Sequence, residues 1–203
     1  MRALTVGLTG GIGAGKTLAL AEMSRLGATV VDSDAIAHAQ ARPGGTAYKR
    51  IVKAFGRGIL GKKGEIDRRR LGERVFKSAG ERRKLEEITH PLVINEIFRR
   101  QKAAKNLVVT AIPLLFESRL EKKFDLTVTI ETPEAVRRKR VAHRDGLTEA
   151  QVAARMKVQL ASSARAARAD VVISSAGSKK DFLTSLRSYY RAIALLRHGA
   201  ATR

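Results

Sequence analysis

The stretch Leu8-Thr9-Gly10-Gly11-Ile12-Gly13-Ala14-Gly15-Lys16-Thr17 decides the fold of this chain. It contains the pattern Gly-x-x-x-x-Gly-Lys-Thr of a phosphate-binding loop, the Walker A motif. The apolar run Ala3–Leu8 before it is typical of a buried strand, and the apolar spacing over Thr17–Leu26 predicts a helix. A strand, a glycine-rich turn and a helix are the context that this motif requires. The sequence therefore predicts a nucleotide-binding loop in an α/β fold.

The residue types of the loop have chemical reasons. Glycines let the backbone adopt left-handed conformations and approach phosphate oxygens closely. The amides then form a concave anion site, to which the following helix adds the positive end of its dipole. We expect Lys16 to bridge the β- and γ-phosphates and the Thr17 hydroxyl to ligate Mg²⁺. The alternative is a glycine-rich turn without a ligand, and the register of Gly, Lys and Thr argues against it.

Further short apolar runs predict the rest of a sheet. These runs are Ala28–Val31, Leu107–Ile112, Leu126–Ile130 and Asp170–Ile173. Continuous apolar runs are typical of strands buried on both faces, as in the parallel sheets of α/β proteins. Helical patterns separate the runs, so the predicted fold class is α/β with a five-stranded parallel sheet flanked by helices.

Two long intervals, 35–105 and 134–168, contain no strand pattern. In the first we expect several helices, with breaks near Pro43-Gly44-Gly45, Gly56–Gly64 and Pro91. In the second we expect two helices joined near Asp145-Gly146. Both intervals are too long for simple crossover helices. Insertions at the carboxyl ends of parallel strands flank the ligand crevice, so both intervals are candidates for substrate binding.

Composition limits the cellular setting and the class of protein. The 203 residues include no cysteine, which excludes disulfides and thiolate metal sites. No apolar run approaches the ~20 residues that a membrane-spanning helix needs. We also see no secretory signal pattern at the start of the sequence. We therefore expect a cytoplasmic protein that does not associate with a membrane.

The formal charge of +21 attracts polyanions, such as nucleic acids or phosphorylated small molecules. Only 4% of the residues are aromatic, and the basic residues are spread over many segments. Because these features argue against a nucleic-acid surface, we expect no specific nucleic-acid partner. Solvated helix faces would explain the same composition without any polyanion.

Two acidic residues follow the second predicted strand. Asp34 lies just beyond this strand, where parallel strands end on the same side as the phosphate loop. A carboxylate there could accept the proton of an alcohol that attacks the γ-phosphorus. Asp32 could instead lie in the outer shell of a Mg²⁺ ion. The structural alternative is an N-cap for a helix that starts near Ala35.

The chain resembles the dephospho-coenzyme A kinase family through an ordered set of motifs from about Leu4 to Gly177. The loop Leu8–Thr17 is similar to the family's LTGGIGSGKS. The remaining matches, in the family's order, are Asp32–Ala37 (DADxIA), Ile66–Leu71 (IDRxxL), Leu85–Pro91 (LExIxHP), Pro113–Glu117 (PLLFE), Arg155–Gln159 (RxxxQ) and Arg168–Ile173 (RADxVI). A single short motif has little specificity, whereas an ordered set that begins with a Walker A loop is specific.

The resemblance implies a reaction and an architecture. The ATP γ-phosphoryl group would pass to the ribose 3′-hydroxyl of dephospho-CoA, giving CoA and ADP. A P-loop kinase core would comprise residues 1–34, 106–133 and 169–203. Residues 35–105 would form a helical acceptor-binding insertion, and residues 134–168 a helical lid. The expected partners are ATP, Mg²⁺ and dephospho-CoA, and we expect a monomer.

The resemblance also assigns residues to the site. ATP phosphates would be held by Gly11, Ile12, Gly13, Ala14, Gly15, Lys16 and Thr17, and Asp34 would be the general base. Arg140 and Arg144 would act from the lid, where their i,i+4 spacing places them on one helix face. The acceptor would contact Asp34, His90, Leu114, Leu115 and Glu117. Simpler alternatives are a solvated charge run for the arginines, core packing for the leucines, a surface acid for Glu117, and an N-cap with proline at the first helical position for His90-Pro91.

The chain departs from the family pattern in places. Where the family has Asn-x-Gly after the last strand, which is thought to hold adenine, this chain has Ser174-Ser175-Ala176-Gly177. A serine cannot reproduce the paired donor and acceptor of an amide. The third strand also lacks the acid often found before PLLFE, which leaves the metal to Asp32 or Asp34.

Two other functions remain open at this point. One is a P-loop kinase for another nucleotide or small alcohol, which would keep Lys16 and Asp34 in the same roles. The other is a non-catalytic, polyanion-binding P-loop protein, which the charge would suit. Salt-dependent retention on DNA without ATP-dependent phosphorylation would favour the second.

Overall fold

The computed structural model describes residues 2–199, and for Phe76 and residues 196–199 it describes the backbone alone. The chain divides into two compact units. Unit 1 comprises Met1–Val31 and Gln101–Arg203, and unit 2 comprises Asp32–Arg100. The phosphate loop belongs to unit 1, whereas Asp34 and His90 belong to unit 2.

A five-stranded sheet forms the centre of unit 1. Its strands are β1 (Thr5–Gly10), β2 (Thr29–Asp32), β3 (Val108–Ala111), β4 (Leu126–Glu131) and β5 (Val171–Ser174), in the spatial order β2-β3-β1-β4-β5. Central β1 pairs in parallel with β3 and β4, and β4 pairs in parallel with β5. Every residue of β1 is buried, as expected for a strand covered on both faces. The predicted fold class, α/β with a five-stranded parallel sheet, is confirmed.

Nine α-helices are formed by the described residues. They are α1 (Lys16–Arg25), α2 (Ser33–Gln40), α3 (Tyr48–Phe55), α4 (Arg68–Lys77), α5 (Ala79–Ala103), α6 (Glu134–Asp145), α7 (Glu149–Lys157), α8 (Ser162–Arg168) and α9 (Lys179–Gly199). Helices α1 and α9 pack on the sheet through Leu20, Met23, Leu186 and Ile193, which join the sheet residues in one apolar core. This core fixes the loop between β1 and α1. Among the described residues, no helix is long and apolar enough to span a membrane.

The interval 134–168 contains three helices, so the expectation of two was wrong. The predicted join is present, because Gly146 ends α6 in a left-handed conformation with φ 61°. Thr148 and Gln151 then form a capping box that starts α7. The helix that sequence analysis missed is α8, which is 7 residues long and has no side-chain cap. It therefore lacks both the length and the start signal of a recognisable helix.

Unit 2 is helical and has a core of its own. Ala47, Ile51, Phe55, Ile59 and Leu71 form this core. The α-helical conformation is interrupted over residues 41–47 and ends again before Gly56, at the breaks that glycine and proline predict. Between α3 and α4 lie a 3-10 turn, Arg57–Ile59, and a bridge between Leu60 and Ile66.

The predicted break at Pro91 is absent. Pro91 lies inside α5, which continues to Ala103. Proline removes a helical N–H donor and crowds the preceding turn, which normally breaks a helix. Here Val93 and Ile97 are buried on the following turns, and their packing favours continuation of the helix. The interpretation of His90 as an N-cap with Pro91 in the first turn is therefore wrong, and His90 is an exposed residue within α5.

Candidate active site

The phosphate loop connects β1 to α1, and its glycines adopt conformations that other residues rarely take. Gly13 has φ 79° and Gly15 has φ 104°, both in the left-handed region. The Lys16 ammonium folds back over the loop, where Nζ donates to the carbonyls of Gly10 at 2.7 Å and Gly11 at 3.2 Å. Thr17 is exposed in the first turn of α1. The loop therefore presents a cation and a hydroxyl at the amino end of a helix, which suits an anion with a bound cation.

Helix α6 covers the loop. Arg140 Nη1 lies 3.4 Å from the Gly13 carbonyl oxygen, and Nη2 donates to the Ser175 carbonyl at 3.0 Å. The Ser175 hydroxyl in turn donates to the Ala14 carbonyl at 2.6 Å. The structure thus brings Arg140 together with the phosphate loop and with the stretch that follows β5.

Arg144, one turn further along α6, has different surroundings. Its guanidinium pairs with Asp145, with Nε at 2.7 Å from Oδ1, and Arg155 contacts the same carboxylate at 3.1 Å. Hydrogen bonds from Arg144 hold the pKa of Asp145 below its ordinary value. Although i,i+4 spacing places Arg140 and Arg144 on related faces, the structure brings only Arg140 to the loop.

Arg137 is buried beside the loop, a position that sequence analysis missed. A solvated charge run was the simpler alternative for Arg137-Arg138-Lys139-Arg140, yet Arg137 is 5% exposed and its Nε donates to the Thr132 carbonyl at 3.2 Å. A side chain at Gly11 would overlap the Arg137 guanidinium. Burial lowers the pKa of Arg137, and the positive charge of Arg165 lowers it further. A buried cation therefore lies against the phosphate loop.

A second buried arginine is neutralised by a carboxylate at the end of β4. Arg165 is 1% exposed, and its Nε and Nη2 both donate to Glu131 at 2.9 Å. Burial raises the pKa of Glu131, but hydrogen bonds from Arg165, Ser162 and Thr129 outweigh burial and hold this pKa below its ordinary value. This pair fastens α8 to the sheet. No single sequence motif predicts this ion pair, because its two partners lie 34 residues apart.

A cavity of about 660 Å³ opens beside these arginines. Its walls include Glu134, Arg137, Gln159, Arg165, Ser174 and Ala176. Its volume lies within the range of small-molecule sites. Ser174 and Ala176 belong to the stretch where the family pattern has its asparagine. The cavity therefore lies where the resemblance predicts that adenine binds.

Two hydrogen bonds connect the junction of α7 and α8 to the rest of unit 1. Gln159 Oε1 accepts from the Ile12 amide at 2.8 Å, and Glu117 Oε1 accepts from the Leu160 amide at 2.7 Å. The other Glu117 carboxylate oxygen is buried without a partner among the described residues. Glu117 is therefore engaged with this junction rather than free on the surface. Leu114 is half-buried, whereas Leu115 is fully buried in the core.

Within unit 2, the two acidic residues at the end of β2 and the start of α2 have separate roles. Asp32 Oδ1 accepts from the amides of Asp34 at 2.9 Å and Ala35 at 3.2 Å, so Asp32 is the N-cap of α2. The helix begins at Ser33, two residues earlier than the N-cap alternative assumed. Asp34 lies exposed in the first turn of α2. The capping function thus belongs to Asp32, and Asp34 is not needed for it.

Few protein side chains near the phosphate loop could ligate a Mg²⁺ ion. Among the described residues, no group of three or more His, Cys, Asp or Glu side chains could hold a metal. Mg²⁺ at nucleotide sites needs only one or two protein oxygens, because phosphates and water complete its shell. The exposed Thr17 hydroxyl beside Lys16 fits that donor set.

Comparison with known proteins agrees with this geometry. The family model for dephospho-CoA kinase matches residues 4–181. A dephospho-CoA kinase of Geobacillus kaustophilus is 41% identical over 182 residues, which cover 88% of this chain and 90% of the relative. Another, from Anaeromyxobacter dehalogenans, is 42% identical over 179 residues, covering 85% of this chain and 84% of the relative. The solved dephospho-CoA kinase from Campylobacter jejuni has a TM-score of 0.71 at 26% identity, covering 95% of this chain and 98% of that one.

These matches extend over nearly the whole chain and over nearly the whole of each relative. The ATP-dependent kinase class inferred from the phosphate loop and the ordered motifs is confirmed. The chain belongs to the dephospho-CoA kinase family.

Proposed function

We propose that this protein transfers the γ-phosphoryl group of ATP to the ribose 3′-hydroxyl of dephospho-CoA, giving CoA and ADP. The observation that carries the proposal is the phosphate loop itself, with Lys16 folded over it and Arg140 of α6 against Gly13. Family membership supplies the acceptor. Both substrates are polyanions, so the charge of +21 would favour their capture.

The donor site uses the loop and α6. Residues Gly11–Thr17 hold the ATP phosphates through backbone amides, and Lys16 bridges the β- and γ-phosphates. When ATP binds, Lys16 exchanges its contacts with the Gly10 and Gly11 carbonyls for phosphate oxygens. The Arg140 guanidinium, with its planar fork of donors, then spreads over the transferring oxygens.

Asp34 acts as the general base on the acceptor. Its carboxylate takes the proton of the 3′-hydroxyl while that oxygen bonds to the γ-phosphorus. The bond from the γ-phosphorus to the bridging oxygen breaks, and ADP leaves with its electron pair. Asp34 is exposed in the first turn of α2, and the N-cap of that helix is Asp32, so the proposed role of Asp34 does not compete with capping. Leu114, Glu117 and His90 are the remaining acceptor-side candidates, whereas the full burial of Leu115 favours its alternative role in core packing.

Mg²⁺ would neutralise charge on the β- and γ-phosphates, held on the protein side by the Thr17 hydroxyl and, through its outer shell, by Asp32. Residues 35–105 serve as the acceptor-binding insertion and residues 134–168 as the lid, around a core of residues 1–34, 106–133 and 169–203. Closure of the lid excludes water and so limits ATP hydrolysis. The protein acts in the cytoplasm as a monomer.

A coupled assay of ADP release with ATP and Mg²⁺ tests the proposal, run with and without dephospho-CoA and with product mass as the second readout. We expect ADP release only with the acceptor and a product heavier by one phosphoryl group. Folded protein that releases no acceptor-dependent ADP would refute the proposed acceptor. A screen of nucleoside and small-alcohol acceptors, together with salt-dependent DNA retention, would then separate the other two functions.

A further inference from the structure

Arg137 is a buried cation that the proposed chemistry does not use. It is 5% exposed and belongs to α6, which packs against the phosphate loop. The first side-chain carbon of a larger residue at Gly11 would lie 2.9 Å from Arg137 Cζ. The same carbon at Gly13 would lie 2.9 Å from the Arg137 carbonyl oxygen. Arg137 therefore contacts the loop at two of its glycines, at one through its guanidinium and at the other through its backbone.

The charge of Arg137 is not neutralised by a carboxylate. Two carboxylates lie in its surroundings, and each is engaged by another arginine. Glu131 pairs with Arg165 at 2.9 Å, and Glu134 pairs with Arg138 at 2.6 Å. Within the described part of the chain, no carboxylate forms an ion pair with Arg137. Three arginines and two carboxylates thus leave one positive charge uncompensated, and it lies on the buried guanidinium.

A buried cation without a counter-charge destabilises a fold, because burial removes the water that would solvate the charge. In agreement, burial and the positive charge of Arg165 lower the pKa of Arg137. Such a charge is useful where a ligand supplies the missing anion, and perturbed groups of this kind are common at functional sites. The anion that the proposed function brings to the phosphate loop is the polyphosphate of ATP.

We propose that Arg137 is a positioning residue of the donor site, whose uncompensated charge beside Gly11 strengthens the hold of the phosphate loop on polyphosphate. This inference rests on the proposed function. A buried charge acts over several ångströms with little screening, so Arg137 need not touch the ligand. Lys16 and Arg140 are the groups proposed to contact phosphate oxygens. Arg137 instead acts through the loop, and its effect grows with the negative charge of the ligand.

Replacement of Arg137 by glutamine tests the proposal. Glutamine Nε2 occupies the same position along the side chain as arginine Nε, so Arg137→Gln can keep the hydrogen bond to the Thr132 carbonyl while it removes the charge. Arg137→Lys keeps the charge and removes the guanidinium. The matched control is Lys139→Gln, which removes one positive charge from an exposed position of the same helix.

Calorimetry without the acceptor measures the Kd of each variant for MgATP, for MgADP and for inorganic triphosphate, which has no base. We expect Arg137→Gln to weaken the binding of ATP and of triphosphate by the same factor, about tenfold, and that of ADP by less, because ADP carries less negative charge. Lys139→Gln should change each Kd by less than about twofold, and Arg137→Lys should regain most of the lost affinity. The difference between Arg137→Gln and Lys139→Gln should persist at roughly 0.5 M salt, because a buried charge is little screened.

Other roles of Arg137 give different results. If Arg137 served only to pack α6 against the loop, Arg137→Gln would lower the melting temperature of the ligand-free protein and weaken all three ligands equally. If Arg137 contacted only the base, the Kd for triphosphate would not change. Either result would overturn the proposal, which expects ligand-free Arg137→Gln to melt at or above the wild-type temperature. If Arg137→Gln does not fold, Arg137→Met, which also removes the charge, takes its place in each comparison.

The role of Arg137 and the proposed function fail in different ways, because donor binding is measured without the acceptor. If the wild type binds ATP but does not phosphorylate dephospho-CoA, the proposed function is refuted and the comparison of Arg137 variants still decides the role of Arg137. If the wild type is active and Arg137→Gln binds ATP and triphosphate as tightly as Lys139→Gln does, the role of Arg137 alone is refuted. A folded wild type that binds neither ATP nor triphosphate would refute both.

Discussion

Replacing Glu131 by glutamine should lower the free energy of unfolding by about 3 kcal/mol. Arg165 is 1% exposed, and the carboxylate of Glu131 takes two of its hydrogen bonds, each 2.9 Å long. Glutamine keeps one acceptor oxygen, but its amide nitrogen cannot accept from the guanidinium. The buried cation then lacks a counter-charge, a loss that typically costs about 3–5 kcal/mol. We take the lower end of this energy range because Arg165 keeps its hydrogen bond to the Leu160 carbonyl.

Urea unfolding at neutral pH, followed by circular dichroism, measures this change. In a thermal melt it corresponds to a shift of roughly 6–12 °C for a chain of this size. The matched control is Glu134→Gln, which breaks an exposed i,i+4 pair with Arg138 and should cost less than about 0.5 kcal/mol. A Glu131→Gln variant as stable as this control would refute the reasoning. The double variant Glu131→Leu/Arg165→Met should regain most of the loss, because it removes both charges together.

Four further outcomes are expected. Asp34→Asn should abolish phosphoryl transfer and leave calorimetric ATP affinity nearly intact, because the amide cannot accept the proton; near-wild-type turnover would remove Asp34 as the base. Lys16→Ala should weaken ATP binding as well as turnover, and an unchanged ATP Kd would contradict the loop assignment. Arg140→Ala should lower kcat by roughly 10²–10³-fold, but Arg144→Ala by less than about tenfold since Asp145 engages Arg144; equal losses would contradict this division. Hydrogen bonds from two arginines lower the pKa of Glu22 to about 2 from its ordinary 4.5. The contribution of the Glu22 carboxylate to the free energy of unfolding should therefore be complete above pH 4.5 and lost as the pH falls towards 2. Glu22→Gln should flatten the pH dependence of urea unfolding in that window, and an unaltered slope would argue against the assignment.

The sheet was predictable because its signals are local. Five short apolar runs correspond to β1 to β5, since a strand covered on both faces must be apolar throughout. Their ends shift by at most two residues, as β1 shows by running from Thr5 to Gly10 rather than from Ala3 to Leu8. The phosphate loop was predictable for the same reason, because its glycines, lysine and threonine act within ten consecutive residues.

Features set by distant packing were not predictable. Pro91 is a local signal for a break, but burial of Val93 and Ile97 favours a continuous α5. A run of four basic residues looks solvated in sequence, yet Arg137 is buried because α6 packs against the loop. The partnership of Glu131 with Arg165 joins residues from different elements. In the last two cases, the deciding contact joins residues that lie far apart in the chain.

Two glycines of the phosphate loop are required both by the local backbone conformation and by packing against a distant helix. Gly11 and Gly13 suit a backbone that must approach phosphate closely. The same two positions also face α6: a side chain at Gly11 would overlap Arg137, and one at Gly13 would lie 2.9 Å from the Arg137 carbonyl and from Val141. A larger residue at position 13 would therefore displace α6, which carries Arg140 to the loop, whereas a larger residue at position 11 would displace the Arg137 side chain. The motif that binds phosphate is thus also the surface on which α6 packs, so a substitution there would disturb the donor site from both sides.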